Sequence, residues 1–412
     1  MTDTKKAETF DVVVVGGGPA GATAAFDLAL EGRNVVLLDR DDRVKPCGGA
    51  IPPVAMREFG IPESALCTRV TSARMIGPSG KIVIMPVENG FVGMVDRKTF
   101  DPWLRERAEK MGAKYIRGTF KTFERDADGT AVVTYLPKDA KEGAEPLRLR
   151  ARAVIGADGS SSRVARQTLG EEKIPQVGAY HEIVKTPEGF DGTQCDVWYQ
   201  GRVSPDFYGW VFPHGDTVSI GVGSDQQGFN LKDATKLLRE LSGLTEAETL
   251  RCEGAPLPLY PRKKWDNGRD LVLAGDAAGC VAPSSGEGIF YAMEGGRLAA
   301  RAVSEFLMSG RPEALANARV VFMERHGKVF RVLGWLQKFW YRSDKRREQF
   351  VTLCADKDIQ AMTWDSYMNK RMTRKKSMAK LKVFFKDLAH LVGLMKTDAE
   401  KDAKGSKKKK AA

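Results

Sequence analysis

No apolar run in this chain approaches the roughly 20 residues that a membrane-spanning helix requires, so no transmembrane segment is expected. The N-terminal Thr2-Asp3-Thr4-Lys5-Lys6-Ala7-Glu8 is polar and has no signal-peptide core, which points to the cytoplasm. The six cysteines (Cys47, Cys67, Cys195, Cys252, Cys280, Cys354) include no CxxC pair. That pattern fits free thiols in a reducing compartment and argues against zinc, so no metal is expected. The four histidines, His181, His214, His326 and His390, fall at no spacing that suggests a metal site or a catalytic triad.

Net positive charge is also missing from most of the chain. Residues 331–412 carry 22 Lys and Arg against 9 Asp and Glu, a net of +13, whereas the first 330 residues have a net charge of −1. A nucleic-acid-binding core is therefore not expected, but an acidic surface met by the C-terminal segment is. With 42% hydrophobic and 29% charged residues over 412 positions, the composition is that of a globular chain of two or three domains.

What is present is concentrated first in residues 10–39. Phe10-Asp11-Val12-Val13-Val14-Val15 is a β-branched run of the kind buried on both sheet faces. It enters Gly16-Gly17-Gly18-Pro19-Ala20-Gly21, then a helical pattern over residues 22–29, then Val35-Val36-Leu37-Leu38 and Asp39. Strand, glycine turn, helix, strand and acid together form a dinucleotide-binding fingerprint. Gly16 permits the turn, Gly18 admits a pyrophosphate, and Gly21 lets the helix pack close to the strand. Asp39, 18 residues beyond Gly21, is placed to accept hydrogen bonds from a ribose.

The chain then runs through a Pro/Gly-rich loop (41–53), loosely alternating strands (70–95) and a helix that begins near Arg97. A β-meander over 115–152 leads into a buried strand that delivers Asp158-Gly159 to a turn before a helix. Residues 176–260 read as antiparallel strands, with aromatics gathered at Trp198-Tyr199 and between Phe207 and Phe212. Another buried strand ends at Gly275-Asp276, and a long helix begins near Gly288 and Ile289. Residues 312–395 have helical periodicity, and 404–412 read as a disordered lysine tail.

An N-terminal GxGxxG with a distal acid, a mid-chain Asp-Gly and a late Gly-Asp before a helix together resemble the p-hydroxybenzoate hydroxylase-like FAD superfamily. Within it, Pro205-Asp206-Phe207-Tyr208-Gly209-Trp210-Val211-Phe212-Pro213 is similar to the PxxYxWxFP signature of the geranylgeranyl reductase family. Lys45-Pro46-Cys47-Gly48-Gly49-Ala50-Ile51-Pro52 resembles that family's flavin-side cysteine loop, and Phe339-Trp340-Tyr341 with Met362-Thr363-Trp364 resembles its chlorophyll and bacteriochlorophyll members. The resemblance covers all but the lysine tail. Read from the residues alone, Tyr208, Trp210 and Phe212 at period two share one strand face. That face could line an apolar slot or form part of a sheet core.

The resemblance implies an α/β fold: a doubly wound FAD domain (1–69, 96–175, 262–311) and an inserted antiparallel substrate sheet (70–95, 176–261). A helical C-terminal region (312–395) and a basic tail (396–412) complete it. The implied cofactor-binding set is Gly16, Gly18, Ala20, Gly21, Asp39, Arg40, Cys47, Gly48, Arg97, Asp158, Gly275, Asp276, Gly288 and Ile289. The implied catalytic set is Cys47, Tyr208, Trp210 and Phe212. Asp276 would contact the ribityl and pyrophosphate region, and the helix from Gly288 would aim its N-terminus at the flavin. With no second GxGxxG, NADPH would visit transiently.

The implied activity is reduction of a geranylgeranyl chain, as the diphosphate or on bacteriochlorophyllide, with an acid protonating one alkene carbon. A flavin monooxygenase and a non-catalytic prenyl-binding escort are the alternatives, and no protein partner is legible. Finally, Leu381, Phe384, Phe385, Leu388, Leu391, Val392 and Met395 would form an apolar stripe on a basic helix, the pattern of a segment lying on an anionic membrane surface.

Overall fold

The computed structural model describes residues 8–40, 44–88 and 90–370. The apolar N-terminal run forms β1 (Glu8–Val15), with Val12, Val13 and Val14 fully buried. The glycine turn leads into α1 (Pro19–Leu30), and β2 (Val35–Asp39) lies parallel to β1. Pro19 suits the start of a helix because the N–H it lacks would have no intrahelical acceptor there. The chain continues through β3 (Ala50–Ile51), α2 (Pro53–Phe59), β4 (Thr68–Val70), β5 (Ser72–Ile76), β6 (Ile82–Pro86) and β7 (Val92–Met94). Asp96 then caps α3 (Arg97–Lys110) by accepting the Lys98 N–H at 2.8 Å.

The meander is β8 (Lys114–Arg125), β9 (Ala131–Pro137) and β10 (Leu147–Gly156), followed by α4 (Arg163–Leu169). Next come β11 (Gln176–Lys185), β12 (Gln194–Trp198), β13 (Gly209–Pro213), β14 (Thr217–Ser224), α5 (Leu231–Leu241) and β15 (Thr249–Pro258). The strand β16 (Leu271–Leu273) precedes α6 (Ile289–Ser309), α7 (Asn317–Trp340) and α8 (Asp344–Leu353). A second compact unit begins at Lys357, and its described part is α9 (Lys357–Asn369).

Two sheets organise the first unit. In one, β8, β2, β1, β10 and β16 lie side by side in parallel. β8 and β10 are 12 and 10 residues long, so their outer halves also pair antiparallel with β9. Helix α1 packs against both α3 and α6. The crossing with α6 is close: a Cβ on Gly296 would sit 2.1 Å from the Ala20 carbonyl oxygen, so only glycine allows it. The other sheet has the order β15-β11-β14-β13-β12-β5-β6.

Three details depart from the sequence reading. The strands within 70–95 are divided between sheets: β5 and β6 join the seven-stranded sheet, whereas β7 pairs with β3 and β4 in a small separate one. The seven-stranded sheet is not wholly antiparallel, because β5 and β12 run parallel. These strands are far apart in sequence, so no hairpin dictates their direction. Finally, residues 176–260 contain a helix, α5, capped by Asn230 and burying Ala234 and Leu238 beneath the sheet. Its signal, a cap followed by Leu231, Ala234, Leu238 and Leu241, was present in the sequence. The apolar stripe of residues 381–395 and the lysine tail lie outside the described residues. Among the described residues no helix is long and apolar enough to cross a membrane.

Candidate active site

The glycine turn is built by close contacts on two sides and openness on the third. Gly16 has φ +106°, and a Cβ there would lie 2.2 Å from the Ala157 carbonyl oxygen. A Cβ on Gly21 would lie 1.8 Å from the Gly16 oxygen, so helix and strand approach as closely as backbone allows. A Cβ on Gly18 would meet only Arg97 Nη2, at 3.7 Å, and this side faces the cleft. The turn is thus locked from behind and open in front, where the first turn of α1 presents its N–H groups.

That cleft opens to solvent, and the empty space along it, open solvent included, is about 920 Å³. Of the cofactor residues expected from sequence, Gly18, Ala20, Cys47, Gly48, Arg97, Asp276, Gly288 and Ile289 line it. Gly16, Gly21 and Gly275 stand behind it as structural glycines; Gly275 has φ +62° and lies against the Ala20 methyl. Asp39 is drawn to the turn, where its Oδ2 accepts the Gly17 N–H at 2.6 Å, and Arg40 is exposed beyond it. The Asp158 carboxylate organises the start of α4, accepting from Ser162 Oγ at 2.5 Å, Arg163 N at 2.7 Å and Val164 N at 3.1 Å. Burial nonetheless holds this carboxyl above its ordinary pKa. Gly159, its neighbour, is the residue that reaches the cleft.

Charge in the cleft comes from both signs. Arg97 is buried at the first position of α3, with Nε 2.5 Å and Nη2 2.6 Å from the two Asp101 carboxylate oxygens. Burial opposes its charge, but Asp101 outweighs this and keeps the guanidinium above its ordinary pKa. Asp276 is buried and forms an ion pair with Lys45. Lys45 was not selected from sequence, although it belongs to the same loop as Cys47. The signal that would have found it, a cation opposite Asp276, exists only once the two segments meet.

The opposite wall is aromatic. Tyr208, Trp210 and Phe212 all line the cleft, and Phe207, out of their alternation, joins them. Phe207 and Tyr208 stack at 4.4 Å, and Tyr208 meets Trp210 edge-on at 6.2 Å. The Tyr208 hydroxyl donates to the Ser285 carbonyl at 2.5 Å, and burial pushes its pKa up, so it stays protonated. The cysteine loop rests on Phe212: a Cβ on Gly48 would stand 3.0 Å from that ring. Cys47 is half-buried, faces the cleft, and its Sγ accepts the Gly49 N–H at 3.3 Å. Behind it, burial lowers the His214 pKa to about 4. The ring is therefore neutral near pH 7, and its Nδ1 donates to the Phe212 carbonyl at 3.1 Å.

These residues fit FAD. The open Gly18 backbone, the helix start at Gly288 with no side-chain cap, and the buried cation Arg97 meet in one cleft. Together they can accept a pyrophosphate and an electron-rich ring.

Residues 9–319 match the family model of the FAD binding domain. Over 94% of its length the chain is 57% identical to geranylgeranyl diphosphate reductase of Rhodobacter capsulatus, covering 98% of that protein. The chain belongs to the geranylgeranyl diphosphate reductase family. It is also 37% identical to the chloroplastic geranylgeranyl diphosphate reductase of Oryza sativa, over 92% of this chain and 86% of that one. The fold matches the crystal structure of a geranylgeranyl bacteriochlorophyll reductase-like protein from Thermoplasma acidophilum with a TM-score of 0.77 at 24% identity. That match covers 88% of this chain and 96% of the other. Among the charged and aromatic residues that line the cleft, Lys45 and Phe207 are the two to which the sequence reading gave no role.

Proposed function

We propose that the protein uses FAD and NADPH to saturate three C=C bonds of a geranylgeranyl chain in bacteriochlorophyll synthesis. The observation that carries this reading is one cleft with a dinucleotide turn on one side and four aromatic rings on the other. The chemistry that FAD supplies when bound is hydride transfer to carbon, with electrons drawn from NADPH. The Gly16–Gly21 turn and α1 would hold its pyrophosphate, Asp276 its ribityl hydroxyls, and the α6 N-terminus and Arg97 the electron-rich end of its ring.

The remaining work falls to the chain's own side chains. An isolated alkene accepts hydride poorly, so positive charge must develop on carbon with water excluded. The faces of Tyr208 and Trp210 can orient the prenyl chain, keep water out and stabilise that charge. The Tyr208 proton is held by the Ser285 carbonyl, which leaves the phenol as a wall. Cys47, which lines the cleft, would hold the proton for the second alkene carbon.

The test is mass spectrometry of the prenyl tail after anaerobic incubation of holoenzyme with NADPH and either geranylgeranyl diphosphate or geranylgeranylated pigment. Stepwise gains of two hydrogens, up to six, are expected on one of the two substrates. No gain on either, or oxygen uptake driven by substrate in air, would overturn the reading.

Peripheral attachment to an anionic membrane belongs to the same proposal, supported by the net charge of +13 in residues 331–412. Each Lys or Arg near such a surface contributes about 1 kcal/mol. The full chain should float with anionic liposomes at low salt, less so at high salt, and not after truncation behind Asp365. Failure of the full chain to float at low salt would reject attachment.

A further inference from the structure

Beside the aromatic wall, on the face that Trp210 shares, a line of buried and half-buried polar groups crosses four strands. In the sheet register Trp210 of β13 pairs with Gly221 of β14, Gly221 pairs with His181 of β11, and His181 pairs with Glu253 of β15. Directly paired residues share a sheet face, and Ser219, two residues before Gly221, shares it too. Trp210 Nε1 lies 3.1 Å from Ser219 Oγ, and the same Oγ lies 2.9 Å from His181 Nδ1. His181 Nε2 lies 2.5 Å from Glu253 Oε2. For a neutral imidazole, one assignment of hydrogens serves every contact. The indole donates to Ser219, the Ser219 hydroxyl donates to Nδ1, and Nε2–H donates to Glu253.

One end of the line reaches the cleft, and the other ends at the start of α3. Glu253 Oε1 is 2.8 Å from Arg251 Nε, and Arg251 Nη2 donates to both Asp96 carboxylate oxygens at 2.7 and 2.9 Å. Asp96 caps α3, whose first residue is Arg97. At the other end the indole itself faces the cleft. Space is arranged to match. A Cβ on Gly221 would stand 2.5 Å from both Trp210 Cζ2 and the His181 Cβ, so the indole occupies room that no side chain at 221 could share.

We propose that Ser219 and His181 are positioning residues that set the tilt of the Trp210 indole against the prenyl chain, with Glu253 fixing the imidazole tautomer. The inference rests on the reading that this cleft takes a prenyl chain. A buried indole N–H keeps the ring orientation that reaches its acceptor. Successive alkenes of one chain must meet the same reacting geometry, so a loosened ring would penalise each round.

The test uses holoenzyme and three variants: Ser219→Ala, Trp210→Phe and the double variant. Ser219→Ala should slow alkene reduction about tenfold, within the range that small misplacements cost, and shift the products toward partly reduced chains. Reduction of bound flavin by NADPH should change less than twofold. In the Trp210→Phe background, which has no indole N–H, Ser219→Ala should have no further effect on the product pattern. Independently of turnover, the Trp210 indole N–H resonance of the ¹⁵N-labelled protein should move and exchange faster in Ser219→Ala. An unmoved resonance, equal slowing of both half-reactions, or an undiminished effect in the Trp210→Phe background would overturn the positioning role. A wild-type enzyme that reduces no prenyl chain would instead overturn the functional reading on which it rests.

Discussion

Asp276→Ala protein should purify largely without flavin. The carboxylate is buried at the strand end beside α1 and lies on the cleft, with Lys45 as its ion-pair partner. Its place suits acceptance of hydrogen bonds from the hydroxyls of a flavin side chain. Hydrogen bonds to a charged group contribute about 1.5–3 kcal/mol, or roughly 10- to 100-fold in Kd. The substitution also removes the partner of the Lys45 ammonium, which is partly buried. The measurement is the ratio of flavin to protein after purification, followed by titration with FAD, with thermal unfolding as a check on the fold. Full occupancy together with normal turnover would remove Asp276 from the cofactor site.

Tyr208→Ala should slow alkene reduction by about 100-fold, while flavin reduction by NADPH changes less than threefold. The ring stacks on Phe207 and meets Trp210 edge-on, so its loss opens the wall where the chain would lie. Trp210→Ala would act in the same direction but is the poorer probe. That side chain is deeply buried, and emptying such a site destabilises by several kcal/mol. Cys47→Ala, measured beside it, should likewise spare flavin reduction and impair only the alkene half. Single-turnover experiments separate the halves. If both fall together in Tyr208→Ala, the aromatic residues are holding the fold; an unchanged product profile in Cys47→Ala would take the thiol out of the proton path.

The contrast between Asp39 and Lys45 shows how far one chain can be read without its fold. The place of Asp39 at the end of β2, beside the glycine turn, was legible because the whole unit of β1, turn, α1 and β2 is contiguous, and each element constrains the next. Lys45 was not, because its partner Asp276 is 231 residues away. Asp158 falls between these cases. The Asp-Gly turn was visible, yet nothing local told that the carboxylate would cap α4 and that Gly159 would face the cleft.

By itself the sequence determined the features with short-range physical causes. These are the glycine turn, the strand-end acid, the helix start at Gly288, and the alternation that sets Tyr208, Trp210 and Phe212 on one face. The FAD-binding α/β fold was implied by the resemblance of their order to a known superfamily, and the family by the resemblance of residues 205–213 and 45–52 to its motifs. Tertiary structure alone decided which faces meet. It set β5 parallel to β12, laid the Gly48 backbone on the Phe212 ring, and aligned Trp210, Ser219, His181 and Glu253 across four strands. The reason is that periodicity tells which residues of one strand share a side. The register between strands distant in sequence is settled by packing, and a shift of one residue would turn His181 away from Ser219.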